Sequence, residues 1–162
     1  MATDLKLFAD YFQIHLLDDE SDGDLSDVWT EQTVLDGLGV TEDALAVGTA
    51  VNVNVAVSVH VLAAQPEDDG DDYDHIVEAS LNLASGRLVV LGCTDYFPDA
   101  ARFAMPAGWT RIRASRRNLA AAVLADIDSD NTPETTEQLR LQAWPAPYAE
   151  PQIIKRWERP TA

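Results

Sequence analysis

The sequence predicts an all-β protein: an antiparallel β-sandwich of about seven or eight strands with one or two short helices, in a single domain over residues 1–162. Three observations carry this expectation. From Val51 to Val61 every odd position is valine, and every even position is small or polar. Successive side chains of a strand point to opposite faces, so this run builds one greasy face, and β-branched valine suits a pleated, half-buried surface. Further short alternating runs recur along the chain, set apart by Gly, Pro and Asp clusters. Finally, no long amphipathic segment lies between the runs, whereas a parallel α/β sheet needs crossover helices.

Taken in order, Leu7 to Leu17 is the first strand candidate, with Phe12, Ile14 and Leu16 on one face and Tyr11, Gln13 and His15 on the other. An acidic loop follows from Asp18 to Asp24, too charged to pack. Thr30 to Gly37 reads as a short helix. Thr30 is placed to cap it, Glu31 suits its first turn, Gly37 or Gly39 ends it, and Trp29 is placed to pack back as a staple. The valine strand then runs on to about Ala64. After a second acidic loop, Glu67 to Asp74, the residues Val77, Ala79, Leu81 and Leu83 alternate on a third strand. The turn residues Ala84-Ser85-Gly86 predict a hairpin returning over Arg87 to Gly92. Phe103 to Met105 and Trp109 to Arg113 are short strands about the turn Pro106-Ala107-Gly108. Asn118 to Ala125 favours a short helix. A third acidic stretch, Asp126 to Glu137, leads into an alternating strand from Gln138 to Trp144, ended by Pro145 and Pro147. Ile153 to Trp157 is a candidate edge strand.

The formal net charge is -17, from 28 acids against 11 bases. That balance argues against a general basic surface for nucleic acid or anionic membranes. Two causes account for it: a functional carboxylate surface, or the background of a GC-rich or salt-adapted proteome, since Lys6 and Lys155 are the only lysines. Cys93 is the lone cysteine, so no internal disulfide forms. Met1 to Lys6 shows no basic region followed by an apolar one, and no apolar run approaches the ~18 residues of a membrane span. A cytoplasmic location is the expectation.

More than half of the 28 acids sit in the three acidic stretches. The plainest reading of these stretches is solvated loops between strands. The sharper one is mimicry of nucleic acid: carboxylates spaced along loops imitate phosphates and fill a cationic cleft, with Asp18, Asp19, Asp22, Asp68, Asp69, Asp71, Asp72 and Asp74 as contact residues. A calcium site is the alternative. Asp126, Asp128, Asp130 and Glu137 stand at positions 1, 3, 5 and 12 of a twelve-residue loop, the ligand spacing of a helix-loop-helix calcium site. Asn131 replaces the usual glycine at position 6, Pro133 removes a backbone donor, and a strand rather than a helix follows. Beyond this optional calcium, no cofactor is implied. His15 and His60 become neighbours if their strands pair, but two surface histidines are the simpler expectation. No serine or cysteine has a recognisable nucleophile setting, and no phosphate-binding glycine loop exists, so catalysis is not expected. Arg111, Arg113, Arg116 and Arg117 form the basic cluster and are expected to neutralise acidic loops.

The order of elements resembles the ComJ family of competence proteins, inhibitors of the DNA-entry nuclease. The shared features are an aromatic N-terminal strand (Tyr11, Phe12), an acidic link, Trp29-Thr30-Glu31 before a short helix, and a long alternating strand. A Val77 to Gly86 hairpin and the Pro106-Ala107-Gly108-Trp109 turn complete them, over roughly residues 8 to 113. The end of the chain, Trp144-Pro145-Ala146-Pro147, departs from that family and is similar to uncharacterised bacterial β-rich proteins. The ComJ resemblance implies a small cytosolic protein that binds and neutralises a nuclease, with no inhibitory residue carried over. The leading expectation is therefore a non-catalytic protein-binding module, an inhibitor or immunity-type protein whose partner has a cationic surface. A calcium-binding module and a structural or scaffold domain are the alternatives.

Overall fold

The computed structural model describes residues 2–160. It contains eleven strands in two sheets, with two short helices. The strands are β1 (Ala2–Phe8), β2 (Gln13–Asp18), β3 (Leu38–Val40), β4 (Ala44–Gly48), β5 (Asn54–Val61), β6 (His75–Leu83), β7 (Arg87–Gly92), β8 (Ala101–Ala104), β9 (Gly108–Arg117), β10 (Gln138–Pro145) and β11 (Gln152–Lys155). The helices are α1 (Glu31–Asp36) and α2 (Leu119–Ala125). One sheet has the order β1-β5-β10-β9-β6-β11, the other β3-β4-β2-β7-β8.

The all-β class is as expected. The strand number and the purely antiparallel arrangement are not, because β10 pairs with β5 in parallel while β9, on its other side, is antiparallel. β10 thus joins two antiparallel ladders, β1-β5 and β9-β6-β11, into one sheet. Val55, Val57 and Val59 of β5 point into a core shared by both sheets. They meet Leu139 and Leu141 on β10, Ile112 on β9, and Ile14, Leu16, Leu45, Val47, Leu88 and Val90 from the facing sheet. Each fully buried side chain of this kind is worth about 1.5–3 kcal/mol.

Two expected continuities are broken where the chain changes sheet. The single strand expected over Leu7 to Leu17 is two strands in different sheets. Tyr11 and Phe12 between them adopt positive φ of 56° and 60°, a left-handed conformation that neither residue type favours. Phe12 consequently leaves the Ile14–Leu16 face and stands 45% exposed. The expected β6–β7 hairpin is likewise a corner. β6 pairs with β9 and β11, and β7 pairs with β2 and β8. Gly86 makes the corner at φ 73°, a region open to glycine without steric cost. Buried Asp18 fastens it, accepting from the Ser85 amide at 3.0 Å and the Ser85 hydroxyl at 2.6 Å.

Helix α1 follows its sequence signals. The Thr30 hydroxyl accepts from the Thr33 amide, the Thr33 hydroxyl accepts from the Thr30 amide, and Gly37 ends the helix at φ 68°. Trp29 donates its indole N–H to Gln13 at 3.1 Å, tying the helix entry to β2. α2 forms where alanine and leucine predicted it, its first amide at Leu119 held by the Asp74 carboxylate at 3.1 Å.

Candidate functional site

The acidic residues separate into those that build the fold and those that remain at the surface. β6 runs between the two loop regions. Its C-terminal end meets the Asp18 loop through Ser85, and its N-terminal end follows the Glu67–Asp74 loop. A nine-residue strand is about 27 Å long, so the two loops lie at opposite ends of the sheet. The Asp126–Glu137 segment joins the Glu67–Asp74 end. Asp72, Asp74 and Glu134 line one shallow depression there with Arg117 and Asn118.

At the first end Asp18 is consumed by the corner just described. Asp19 accepts from Arg87 at 2.7 Å and Arg102 at 2.9 Å, and these two guanidiniums hold its carboxyl below the ordinary value. Asp22 is exposed and accepts no side-chain cation among the described residues. At the other end Asp69 lies in the fork of Arg140, which lowers its pKa. Asp74 holds α2. Asp68 is exposed and accepts the Gly70 amide at 2.9 Å, while Asp71 and Asp72 are exposed without a cationic partner among the described residues.

The four candidate calcium ligands do not converge. Asp126 and Asp128 are exposed on a 3-10 segment, Asp126–Asn131, and Asp130 accepts from the amide and side chain of Asn54 at 3.1 and 3.0 Å. Glu137 is fully buried, with one oxygen taken by the Ala50 amide at 2.7 Å and the other by Arg116 Nε at 3.1 Å. Among the described residues no group of three or more His, Cys, Asp or Glu side chains is placed to hold a metal ion. His15 and His60 belong to different sheets, so the strand pairing that would make them neighbours does not occur.

Most of the basic cluster serves the sheet rather than the loops. Arg111 and Arg113 donate to the two oxygens of Glu78 at 3.1 and 2.7 Å, all three side chains buried on the outer face of β6 and β9. Arg111 also donates to the carbonyls of Ala149 and Glu150, pinning the segment before β11 over this face. Arg117 donates to Gln138 and lies 5.2 Å from the Tyr73 ring centroid. Arg116 pairs with Glu137 at the end of the third acidic stretch, whereas Asp69 is neutralised by Arg140 and Asp19 by Arg87 and Arg102, three arginines outside the cluster.

A second site emerges between the sheets at the Glu67–Asp74 end. A cleft of about 910 Å³ opens between the Tyr11–Phe12 turn, α1 and the residues after β11. Tyr11 is 68% exposed at its rim, and Leu35 of α1 66%. Buried His75 ties two of its walls together. Its Nε2–H donates to the Asp36 carbonyl at 2.6 Å, and its Nδ1 accepts the Trp157 amide at 3.0 Å. Burial, then the neighbouring Arg116 charge, pushes the His75 pKa down to about 4, so the ring is neutral at pH 7. Arg156 donates to Asp36 at 2.7 Å and Arg159 to the Ala50 carbonyl at 2.8 Å, fixing the strap from Arg156 to Arg159 along the cleft.

The fold has counterparts among solved structures. The fold resembles that of ComJ. The crystal structure of ComJ from Bacillus subtilis, inhibitor of the DNA-degrading activity of NucA, superposes with a TM-score of 0.67 at 11% identity, covering 89% of this chain and 96% of that one. The protein of crocagin biosynthetic gene J superposes with a TM-score of 0.59 at 16% identity, covering 90% and 97% of the two chains. At such identities the likeness concerns the fold. No family model and no curated protein matches the sequence.

The cleft was not legible in the sequence. Its walls come from positions 11 to 159, with no local motif. The adjacent aromatics Tyr11 and Phe12 gave no hint of it, because alternation assigns Phe12 to the face of Ile14 and Leu16 and the left-handed turn alone brings both rings to the surface.

Proposed function

We propose that this chain is a binding protein that neutralises a nuclease, presenting carboxylates to a cationic partner. The observation carrying this reading is the set of exposed acids at the Glu67–Asp74 end: Asp68, Asp71 and Asp72, with Glu134 on the adjoining segment, none engaged by Lys or Arg among the described residues. The likeness in fold to an inhibitor of NucA supports it. Carboxylates left unpaired on a rigid sheet end steer a basic partner and give fast, salt-dependent association. The other acids of the reading contribute less: Asp18, Asp19, Asp69 and Asp74 are occupied within the fold, and Asp22 lies at the far end.

The test is inhibition of DNA degradation by a NucA-type nuclease, measured with the wild type and with Asp68, Asp71 and Asp72 replaced together by asparagine. These acids support no core contact, so stability stays within about 0.5 kcal/mol. Inhibition is expected to weaken by at least roughly tenfold and to lose most of its salt dependence. Unchanged inhibition by a folded triple variant rejects the acidic surface as the contact.

A further inference from the structure

We propose that the cleft beneath Tyr11 and Phe12 binds a small aromatic monocarboxylate, its anion held by Arg116 and its ring packed against Trp29, Leu35 and Trp157. This site is separate from the acidic surface and stands without the nuclease reading.

The floor of the cleft supplies the anion recognition. Arg116 is 6% exposed and lines the cleft. Its Nε goes to Glu137, but among the described residues no hydrogen bond reaches Nη1 or Nη2. A guanidinium carries five donors in a planar fork suited to a carboxylate. These two nitrogens keep contact with solvent at the cleft floor, and a ligand carboxylate that displaces the water there pairs with both at once. Gly37 keeps the approach open: a Cβ there would come within 3.0 Å of Arg116 Nη1. His75 beside it is neutral and adds no competing charge.

The charge of the ligand follows from the surroundings. Arg116, Arg156 and Arg159 line the cleft against Glu158, in a chain where acids outnumber bases 28 to 11. Glu137 behind Arg116, Asp36 beside Arg156 and Glu158 on the rim balance these three arginines in number, so the cleft holds no excess of positive charge beyond the unpaired outer nitrogens of Arg116. One negative charge therefore fits better than the two of a phosphate monoester. The walls set the rest of the ligand. Trp29 and Trp157 are half-buried, and Phe12, Val34 and Leu35 are exposed along the same opening, which suits a flat apolar group. A volume of about 910 Å³ is that of a small-molecule cleft. The turn that carries Tyr11 and Phe12 is held in a left-handed conformation at both residues, strain of about 1–3 kcal/mol each that is typical of ligand clamps.

The probe is N-acetylphenylalanine, compared with its uncharged amide and titrated into the full chain. A phenyl ligand leaves the cleft tryptophans free to report by fluorescence, and amide NMR shifts at Gly37, Gly48 and Ala50 locate it. Saturable binding of the acid, at least roughly tenfold tighter than the amide, is expected. Arg116→Lys should erase that preference. Leu35→Glu, at an exposed position outside the core, should weaken the acid with the fold intact. Equal binding of acid and amide, no saturation up to roughly 10 mM, or shifts located away from the cleft each overturn the proposal. Should Arg116→Lys fail to fold, the acid–amide comparison and Leu35→Glu decide.

Discussion

His75 makes the stability of this protein depend on pH in a defined direction. Both ring nitrogens are engaged: Nε2–H donates to the Asp36 carbonyl and Nδ1 accepts the Trp157 amide. A second proton would have to sit on Nδ1, facing an N–H, beside Arg116 and out of water. The folded pKa is accordingly about 4 against 6.5 for the free side chain. Between those values the unfolded chain binds the proton and the folded one does not. The contribution is therefore intact above pH 6.5 and is lost as the pH falls towards 4. The gap corresponds to about 3 kcal/mol once both states are titrated, most of it lost by pH 4.5. Carboxylates titrate in the same range, so the effect is isolated by difference. Urea unfolding of the wild type and of His75→Gln, which keeps a donor and an acceptor, should give stability curves that diverge by about 2–3 kcal/mol between pH 7.5 and 4.5. Histidine C2–H resonances provide the direct measurement. A His75 midpoint near 6.5, or parallel stability curves, would refute the account of a buried, doubly bonded neutral ring.

Other substitutions test the polar framework. Glu137→Ala leaves Arg116 charged and unpaired among buried atoms and should cost about 3–5 kcal/mol in urea unfolding; a loss under about 1 kcal/mol would mean that this pair is wet. Tyr11→Gly removes a left-handed tyrosine that makes little burial and should stabilise by about 0.5–1 kcal/mol, so a lower melting temperature would contradict the strained turn. Burial, together with Asp10, raises the Cys93 thiol above its ordinary pKa. Its alkylation at pH 7.5 should then lag behind an unstructured cysteine and recover in denaturant, and equal rates would place the thiol in water.

Sequence reading succeeded where one residue reports its own surroundings. The valines of β5, the alternation of β10, the Thr30 cap and Gly37 stop of α1, and the edge strand β11 were all visible. β3 and β4 were missed because Leu38-Gly39-Val40 and Ala44-Leu45-Ala46-Val47 are buried on both faces and show no alternation to read. The sheet changes at Tyr11–Phe12 and at Ser85-Gly86 were missed for another reason. A corner and a hairpin share turn residues, and partner choice is decided by distant strands. Partner choice also governs the acids. Glu78 and Glu137 look like any strand or loop carboxylate, yet they meet arginines 33 and 21 residues away. Acidic composition alone could not separate these structural carboxylates from Asp68, Asp71 and Asp72, nor assemble the Arg116 cleft.

The parallel partnership of β5 and β10 sets an order on biosynthesis. β5 can pair with β1 as soon as both have been made, but its other edge waits for a strand that starts at Gln138. From Val61 to Pro145 a ribosome adding roughly 5–20 residues per second needs roughly 4–17 s. During that interval a valine-rich strand offers an open hydrogen-bonding edge, the template by which nascent chains stick to one another. Contacts so remote in sequence also slow refolding from the complete chain. The strong acidity of the intervening segments then has a role at this stage too, since chains of like charge repel before β10 arrives to close the sheet.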